Sequence, residues 1–269
     1  MTNFTINTVK KVQDKLDFLD TLKNMKITKS LTETVDDKAA NILEENYKKL
    51  KCDVKPVARD SDEFDVINRY IQTSNPADQR IYKINLEDVY RLEREGELER
   101  FNTHNKNIGN KRLLWHGSRV TNFVGIISQG LRIAPPSAPV SGYLFGKGVY
   151  FADMLAKSAS YCRAETSDME ALILLAEVAC GNPCKRPNFD CYAANLPAGT
   201  DCTLGMGRNH PDPANEEMLD GAIVPMGPPM KGSDGQQRNI GYNEWVVYDV
   251  NQIKMKYLLK CKFSRGSRW

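Results

Sequence analysis

The chain has 269 residues, of which 41% are hydrophobic and 26% are charged, and its formal net charge is +3. This composition is typical of a folded domain rather than a disordered chain, and so small a charge gives no indication of a nucleic-acid-binding surface. No apolar run approaches the roughly 20 residues that cross a bilayer, and the N-terminus lacks the apolar core of a signal peptide. We therefore expect a soluble, unsecreted protein without a membrane partner.

The N-terminal part of the sequence predicts one amphipathic helix over Val9–Leu31, because its apolar residues recur mostly at three- and four-residue steps. The polar stretch Thr28–Asn41 predicts a linker or a frayed connection. A strand is expected within Lys51–Val57. A helix is expected over Asp60–Thr73, with Asp60 or Ser61 as its N-cap.

Further along, Asp153 predicts the N-cap of a helix that continues to about Cys162. The apolar run Leu172–Ala179 is typical of a buried strand. The stretches Pro183–Pro187 and Pro225–Gly241 are rich in glycine and proline and predict loops. Four lysines at even spacing near the C-terminus would line one face of a strand, which we expect to be solvated: Lys254, Lys256, Lys260 and Lys262.

Seven cysteines are an odd number for a disulfide framework, so reduced thiols in the cytosol or nucleus are favoured. Four of them are close enough in sequence to suggest a zinc site: Cys180, Cys184, Cys191 and Cys202. Their spacing lacks the paired C-x2-C knuckles of common structural zinc sites. Scattered thiols without a metal are the better interpretation.

Three separated segments hold the residues best suited to chemistry: Leu-Leu-Trp-His-Gly-Ser-Arg at 113–119, Gly-Lys-Gly-Val-Tyr-Phe-Ala-Asp at 146–153 and Tyr-Asn-Glu-Trp-Val-Val-Tyr at 242–248. On a strand, Tyr242, Glu244 and Val246 would point the same way, which places a carboxylate among apolar neighbours where its charge is costly. Such a residue is usually functional. The sequence has neither a strand-linked G-x-G-x-x-G nor a P-loop, so a bound dinucleotide would be held in another way.

Together these segments resemble the catalytic segments of the poly(ADP-ribose) polymerase family, and most closely its DNA-damage-responsive, chain-forming branch. The resemblance runs from about Asn46 to Trp269. It implies an α+β fold, the ADP-ribosyltransferase fold of two packed, mostly antiparallel sheets with short helices, preceded by an N-terminal helix. It also implies two parts: a partial regulatory helical segment and linker at 1–45, with only the last helix of the regulatory domain, and a catalytic domain at 46–269.

The resemblance implies an enzyme that splits NAD+ as its donor substrate and needs no metal. ADP-ribose would be transferred to protein acceptors, including the chain itself, and elongated. Breaking the bond between nicotinamide and ribose builds positive charge on the sugar, which a fixed carboxylate stabilises. That role falls by resemblance on Glu244, which would also polarise the acceptor hydroxyl. Family members with a hydrophobic residue here generally transfer a single unit, so a glutamate favours polymer formation.

The resemblance assigns catalytic roles to His116, Tyr150 and Glu244. His116 would also contact the adenine-side ribose, Gly117 and Ser118 would hold the nicotinamide amide, and Tyr150 and Tyr161 would pack on opposite sides of the nicotinamide ring. Further donor-binding residues carried over are Lys157, Ser158, Asn122, Arg132 and Tyr143. On the N-terminal helix, Asp20 and Asn24 occupy positions that would face the adenosine side and restrict entry of NAD+. Trp245 stands where the family often has tyrosine.

Three alternatives remain open. A mono-ADP-ribosyltransferase would have an acceptor pocket that cannot hold a growing chain. A non-catalytic module would bind NAD or ADP-ribose as a scaffold, and a nucleic-acid-binding protein would show a steep salt dependence of DNA binding. By resemblance we expect a nuclear protein, otherwise a cytosolic one. DNA-damage factors would be partners through regions outside this chain.

Overall fold

The computed structural model describes residues 8–32, 42–76, 82–135, 143–232 and 235–265. Within these ranges the α-helices are α1 Val9–Thr32, α2 Ile42–Lys49, α3 Asp62–Ser74, α4 Glu97–His104, α5 Phe123–Gln129 and α6 Leu155–Ala159. Short 3-10 helices cover Val120–Asn122, Ala164–Thr166, Pro213–Asn215 and Val250–Gln252. None of the helices in the described ranges combines the length and the apolar character that crossing a membrane requires.

The strands of the described residues are β1 Cys52–Pro56, β2 Tyr82–Arg94, β3 Lys111–Gly117, β4 Val149–Phe151, β5 Glu170–Ala179, β6 Pro183–Arg186, β7 Cys202–Gly205, β8 Gly207–Pro211, β9 Glu217–Leu219, β10 Ala222–Val224, β11 Pro229–Lys231, β12 Ile240–Tyr242, β13 Glu244–Val247 and β14 Ile253–Arg265. They form a seven-stranded sheet in the order β1-β2-β14-β5-β3-β10-β9 and a four-stranded sheet in the order β4-β13-β7-β6. A small third sheet has the order β11-β8-β12. Most pairings are antiparallel, and the parallel ones join β3 to β10, β6 to β7 and β8 to β12.

The two larger sheets pack face to face through an apolar core. Leu114 of β3 and Val178 of β5 meet Phe151 of β4 and Val247 of β13 in this layer. The opposite face of the seven-stranded sheet is covered by α3 and α6, while α5 packs against β1, β2 and β14. The predicted α+β fold of packed, mostly antiparallel sheets is thereby confirmed. The third sheet was not expected.

Several local predictions are confirmed. Helix α3 begins where expected, because the Ser61 hydroxyl oxygen accepts a hydrogen bond from the amide of Phe64 at 3.2 Å and so caps the helix. The apolar run at 172–179 lies inside the buried strand β5. Strand β1 and helix α1 also form where their patterns predict them.

The linker predicted from Thr28 is wrong at its start, because α1 continues to Thr32. The hydroxyl of Thr28 donates to the carbonyl of Asn24 at 3.0 Å, and that of Thr32 donates to the carbonyl of Thr28 at 3.1 Å. These bonds satisfy the polar side chains within the helix. Residues 33–41 lie outside the described residues.

Both predicted loops contain strands. The stretch Pro183–Pro187 forms β6, which pairs in parallel with β7 at the edge of its sheet. The stretch Pro225–Gly241 includes β11, again an edge strand, and the start of β12. Proline is compatible with both positions because an edge strand leaves one row of backbone amides without a ladder partner.

The solvated lysine face is wrong at Lys256, whose side chain is only 7% exposed. The register of β14 against β5 shifts between Met255 and Tyr257, so a bulge breaks the two-residue alternation at this lysine. Its ammonium nitrogen lies 3.5 Å from carboxylate oxygens of both Glu177 and Asp220. Burial lowers the pKa of Lys256 despite these partners.

Candidate active site

The site begins where β3 meets β4. The backbone amide of Trp115 donates to the carbonyl of Ala152 at 2.8 Å, and the amide of Ala152 donates to the carbonyl of Trp115 at 2.9 Å. This bridge joins the seven-stranded and four-stranded sheets. It therefore brings His116 and Tyr150 together from segments 34 residues apart in the chain.

His116 is half-buried, and its Nδ1 lies 3.0 Å from the carbonyl oxygen of Tyr150. A carbonyl can only accept a hydrogen bond, so Nδ1 carries the hydrogen. Burial lowers the pKa of His116 below its ordinary value of 6.5, although the bond to Tyr150 opposes this effect. The ring is consequently neutral at neutral pH and offers Nε2 as a hydrogen-bond acceptor.

Gly117 follows at the end of β3, where helix α6 approaches the strand. A Cβ added to Gly117 would lie 2.0 Å from the carbonyl oxygen of Ser158. Glycine is thus required here by the packing of α6. Ser158 is buried in the same contact and donates its hydroxyl hydrogen to the carbonyl of Trp115 at 3.1 Å.

A cavity of about 450 Å³ opens beside this junction. Six of the predicted donor-binding residues line it: His116, Ser118, Asn122, Arg132, Tyr143 and Tyr150. The Asn122 amide nitrogen donates to the Ser118 hydroxyl at 2.9 Å, and its buried Oδ1 accepts no hydrogen bond from the described residues. The cavity is therefore lined by polar groups and by apolar side chains such as Ile126 and Ile133.

Tyr150 presents its ring to this cavity while its hydroxyl is held by the protein. The hydroxyl donates to the carbonyl of Gly146 at 2.7 Å and accepts from the amide of Phe145 at 2.9 Å. Burial raises the pKa of Tyr150 far above its ordinary value. The ring centroid of Tyr143 lies 6.3 Å away. Tyr150 is thus suited to packing against a ligand and not to proton transfer.

Glu244 lies at the start of β13 and is 4% exposed. Its Oε1 is 2.5 Å from the ammonium nitrogen of Lys157 on α6, which in turn lies 5.4 Å from the ring centroid of Tyr161. Burial alone would lower the pKa of Lys157, but Tyr161 and Glu244 together raise it above its ordinary value. The site thus holds a fixed carboxylate with a paired cation and a part-exposed aromatic ring beside them.

The face predicted for the third segment is partly wrong. Tyr242 ends β12 in the three-stranded sheet, whereas Glu244 begins β13 in the four-stranded sheet. The chain changes sheets at Asn243, so Tyr242 does not share a strand face with Glu244. Glu244 and Val246 remain two residues apart on β13, and both are buried.

Asp153 does not cap the following helix, because α6 begins at Leu155 with Met154 as its N-cap. Its buried carboxylate instead accepts hydrogen bonds from the Asn243 amide at 2.8 Å and the Trp245 indole at 2.9 Å. Burial raises the pKa of Asp153. Sequence reasoning missed this role because the partners lie about 90 residues away in the chain.

Helix α1 reaches the cavity through Lys23 and Asn24. Asn24 is buried against α5, and its Oδ1 accepts a hydrogen bond from the Arg132 guanidinium at 2.9 Å. A Cβ on Gly125 would lie 2.1 Å from the same oxygen, so α1 and α5 are in close contact. The side chain of Asp20 lies outside the described part of the chain.

Comparison with known proteins identifies relatives of this chain. Residues 61–263 match the family model described as the poly(ADP-ribose) polymerase catalytic domain. The chain is 43% identical over 265 residues to poly [ADP-ribose] polymerase 1 of Gallus gallus, covering 96% of this chain and 25% of that protein. It is 41% identical over 269 residues to poly [ADP-ribose] polymerase 2-A of Oryza sativa subsp. japonica, covering 100% of this chain and 40% of the relative. The chain thus spans well under half the length of these two relatives.

Proposed function

Because this chain belongs to the poly(ADP-ribose) polymerase catalytic domain family, we propose that it cleaves the bond between nicotinamide and ribose in NAD+ and transfers ADP-ribose to protein acceptors. The buried Glu244 carboxylate, fixed by Lys157, is the observation that carries the proposal. A carboxylate that the protein holds in a fixed position can stabilise a positive charge that develops beside it during the reaction. The ribose acquires that charge as its bond to nicotinamide breaks.

The donor half of the proposal assigns NAD+ to the cavity lined by His116 and Tyr150. The neutral His116 offers Nε2 to a ribose hydroxyl, and the Tyr150 ring offers an apolar face to nicotinamide. Ser118, Asn122, Arg132 and Tyr143 supply polar contacts from the same wall. Gly117, Lys157, Ser158 and Tyr161 complete the nicotinamide end. No metal is needed for this chemistry.

The acceptor half of the proposal is elongation. The same carboxylate that stabilises the ribose can accept a hydrogen bond from an incoming hydroxyl, which raises the nucleophilicity of that hydroxyl. We infer that acceptors include the chain itself and then the ribose of an attached ADP-ribose. The division into a helical segment at 1–45 and a catalytic domain at 46–269, nuclear residence and a role in the DNA-damage response belong to the same proposal.

Release of nicotinamide from NAD+ by the purified chain tests the activity. We expect Glu244→Gln to lower the rate about a hundredfold or more, the size of loss typical of removing one transition-state contact. Glu177→Gln is a matched control, because Glu177 is also 4% exposed and lies 2.6 Å from a lysine nitrogen, that of Lys254. The control should keep its rate within about threefold. Equal rates for wild type and Glu244→Gln would overturn the assignment.

A further inference from the structure

Asp153 binds the residues on both sides of Glu244. One oxygen, Oδ2, accepts from Asn243 Nδ2 at 2.8 Å and from Trp245 Nε1 at 2.9 Å. We propose that Asp153 is a positioning residue for Glu244, an inference that rests on the proposed cleavage of NAD+. It acts through the backbone of β13, and its own carboxylate does not touch the substrate.

The geometry of β13 makes this possible. Successive side chains of a strand point to opposite faces, so Trp245 and Glu244 leave the backbone in opposite directions. A bond that fixes the Trp245 indole on one face therefore fixes the backbone from which Glu244 projects on the other. Trp245 is also held by Arg112, whose guanidinium carbon lies 5.1 Å from the indole centroid.

Asn243 is fixed on its other side as well. Its Oδ1 accepts a hydrogen bond from the amide of Gly207 at 2.9 Å. A Cβ on Gly207 would lie 2.0 Å from the carbonyl carbon of Tyr242. The start of β8 therefore lies close against the end of β12. Asn243 thus joins β8 to Asp153, and Glu244 begins the next strand from this fixed point.

A buried carboxylate is a costly choice for a purely structural contact. Asp153 is 2% exposed, and its Oδ1 accepts no hydrogen bond from the described residues. A carboxylate taken out of water loses its hydration, which costs free energy unless hydrogen bonds compensate for it. One oxygen that accepts two hydrogen bonds fixes Asn243 and Trp245 relative to each other. The gain we infer is therefore in the geometry of Glu244.

Trp245 supplies one of the two donors that bind Asp153. Here the indole offers one N–H donor and no acceptor, and that donor is used on Asp153. Trp245→Phe keeps an aromatic ring at this position but removes the donor together with part of the buried ring volume. The double-mutant cycle below distinguishes the lost hydrogen bond from the lost packing.

The first experiment measures nicotinamide release for Asp153→Asn and Trp245→Phe at varied NAD+. We expect kcat to fall about 30-fold and about fivefold, respectively, because small displacements of a catalytic group are costly. KM for NAD+ should stay within about twofold of the wild-type value, since the donor cavity is lined by other residues. A kcat within twofold of wild type for both variants would overturn the proposal.

A double-mutant cycle separates positioning from general damage to the fold. If Asp153 acts through Glu244, adding Asp153→Asn to Glu244→Gln should cost less than about threefold, because the group being positioned is already lost. Asn105→Ala is the control, since Asn105 is 2% exposed, bonds two backbone carbonyls and lies away from the site. It should lower the melting temperature and leave kcat unchanged in both backgrounds.

The outcomes separate this inference from the proposed function. A wild-type chain that releases no nicotinamide overturns both. An active wild type in which Asp153→Asn costs the same factor with and without Glu244 overturns the positioning role and leaves the proposed function intact. Non-additive losses at constant KM support both.

Discussion

The ammonium nitrogen of Lys157 lies 2.5 Å from Oε1 of Glu244, and the two side chains are 22% and 5% exposed. The pair joins α6 to β13 and gives the buried carboxylate its cation. Lys157 is therefore expected to hold Glu244 in place. Because both side chains are largely buried, the loss of either one leaves the other without its partner in a buried position.

Lys157→Met should lower nicotinamide release about tenfold and destabilise the fold by about 3 kcal/mol, because it leaves a buried carboxylate unpaired. Lys254→Met is the control, since Lys254 is 20% exposed and lies 2.6 Å from the equally buried Glu177. Glu177 keeps Lys256 at 3.5 Å, so this control should destabilise the fold less than Lys157→Met. Denaturant unfolding and initial rates check both variants. The account fails here if the control loses as much activity as Lys157→Met.

Gly117→Ala should distort the contact between β3 and α6, because its Cβ would meet the Ser158 carbonyl oxygen at 2.0 Å. Overpacking of this kind costs about 1–3 kcal/mol, and we expect most activity to be lost as Lys157 moves with the helix. Gly109→Ala has no atom within 4 Å of its added Cβ and serves as control. Unchanged melting temperature and rate for Gly117→Ala would show that α6 is not held as described.

Binding of NAD+ should weaken in acid because of His116. Its pKa is lowered from 6.5 by burial, so the ring is still mostly neutral at pH 6.5 and becomes half-protonated only below that value. KM for NAD+ should be constant from pH 8 to 6.5 and rise below it as Nε2 ceases to accept. The stability of the fold changes with pH in the same direction. The contribution of the neutral His116 ring is fully present above pH 6.5 and is lost as the pH falls toward the lowered pKa of His116.

His116→Gln provides the comparison for this pH dependence, since an amide does not titrate in this range. Its KM should be higher than the wild-type value at pH 8 and should change little on acidification. A wild-type KM that already rises between pH 8 and 7 would contradict the lowered pKa. If KM of His116→Gln rose in acid as it does in the wild type, the titrating group would be one other than His116.

Asn24→Ala should loosen helix α1, because it removes the contacts of Asn24 with Arg132 and Gly125. Amide exchange over residues 9–32 should accelerate, and KM for NAD+ should fall, since Lys23 and Asn24 line the donor cavity. Lys49→Met is a control that weakens α1 elsewhere, at its bond to the Leu31 carbonyl. Faster exchange without a change in KM would exclude α1 as a barrier to NAD+.

The sequence predicts most of the site because its residues belong to short, ordered segments. The structure brings His116 and Tyr150 together through a bridge between two sheets, and it pairs Glu244 with Lys157. The α+β fold followed from the same resemblance. Six of the predicted residues line one cavity, whereas Glu244 and Lys157 are not among its lining residues. The functional roles of all of them remain predictions.

The features that sequence reasoning missed depend on distant partners. Strand β6 at Pro183 forms only because β7 lies beside it, and the bulge at Lys256 interrupts an alternation that looked regular. Asp153 was expected to cap a helix, a local role, but its donors lie on another strand. Local pattern cannot show contacts that are made only when the sheets pack.

The most direct test of the central claim is a denaturing gel of the purified chain after incubation with labelled NAD+. We predict a high-molecular-weight smear of label on the wild-type chain, reduced in Glu244→Gln to short products or none. A single discrete band would contradict elongation and indicate transfer of one unit. Absence of label on the wild-type chain, or equal labelling of Glu244→Gln, would contradict ADP-ribosyl transfer through this site.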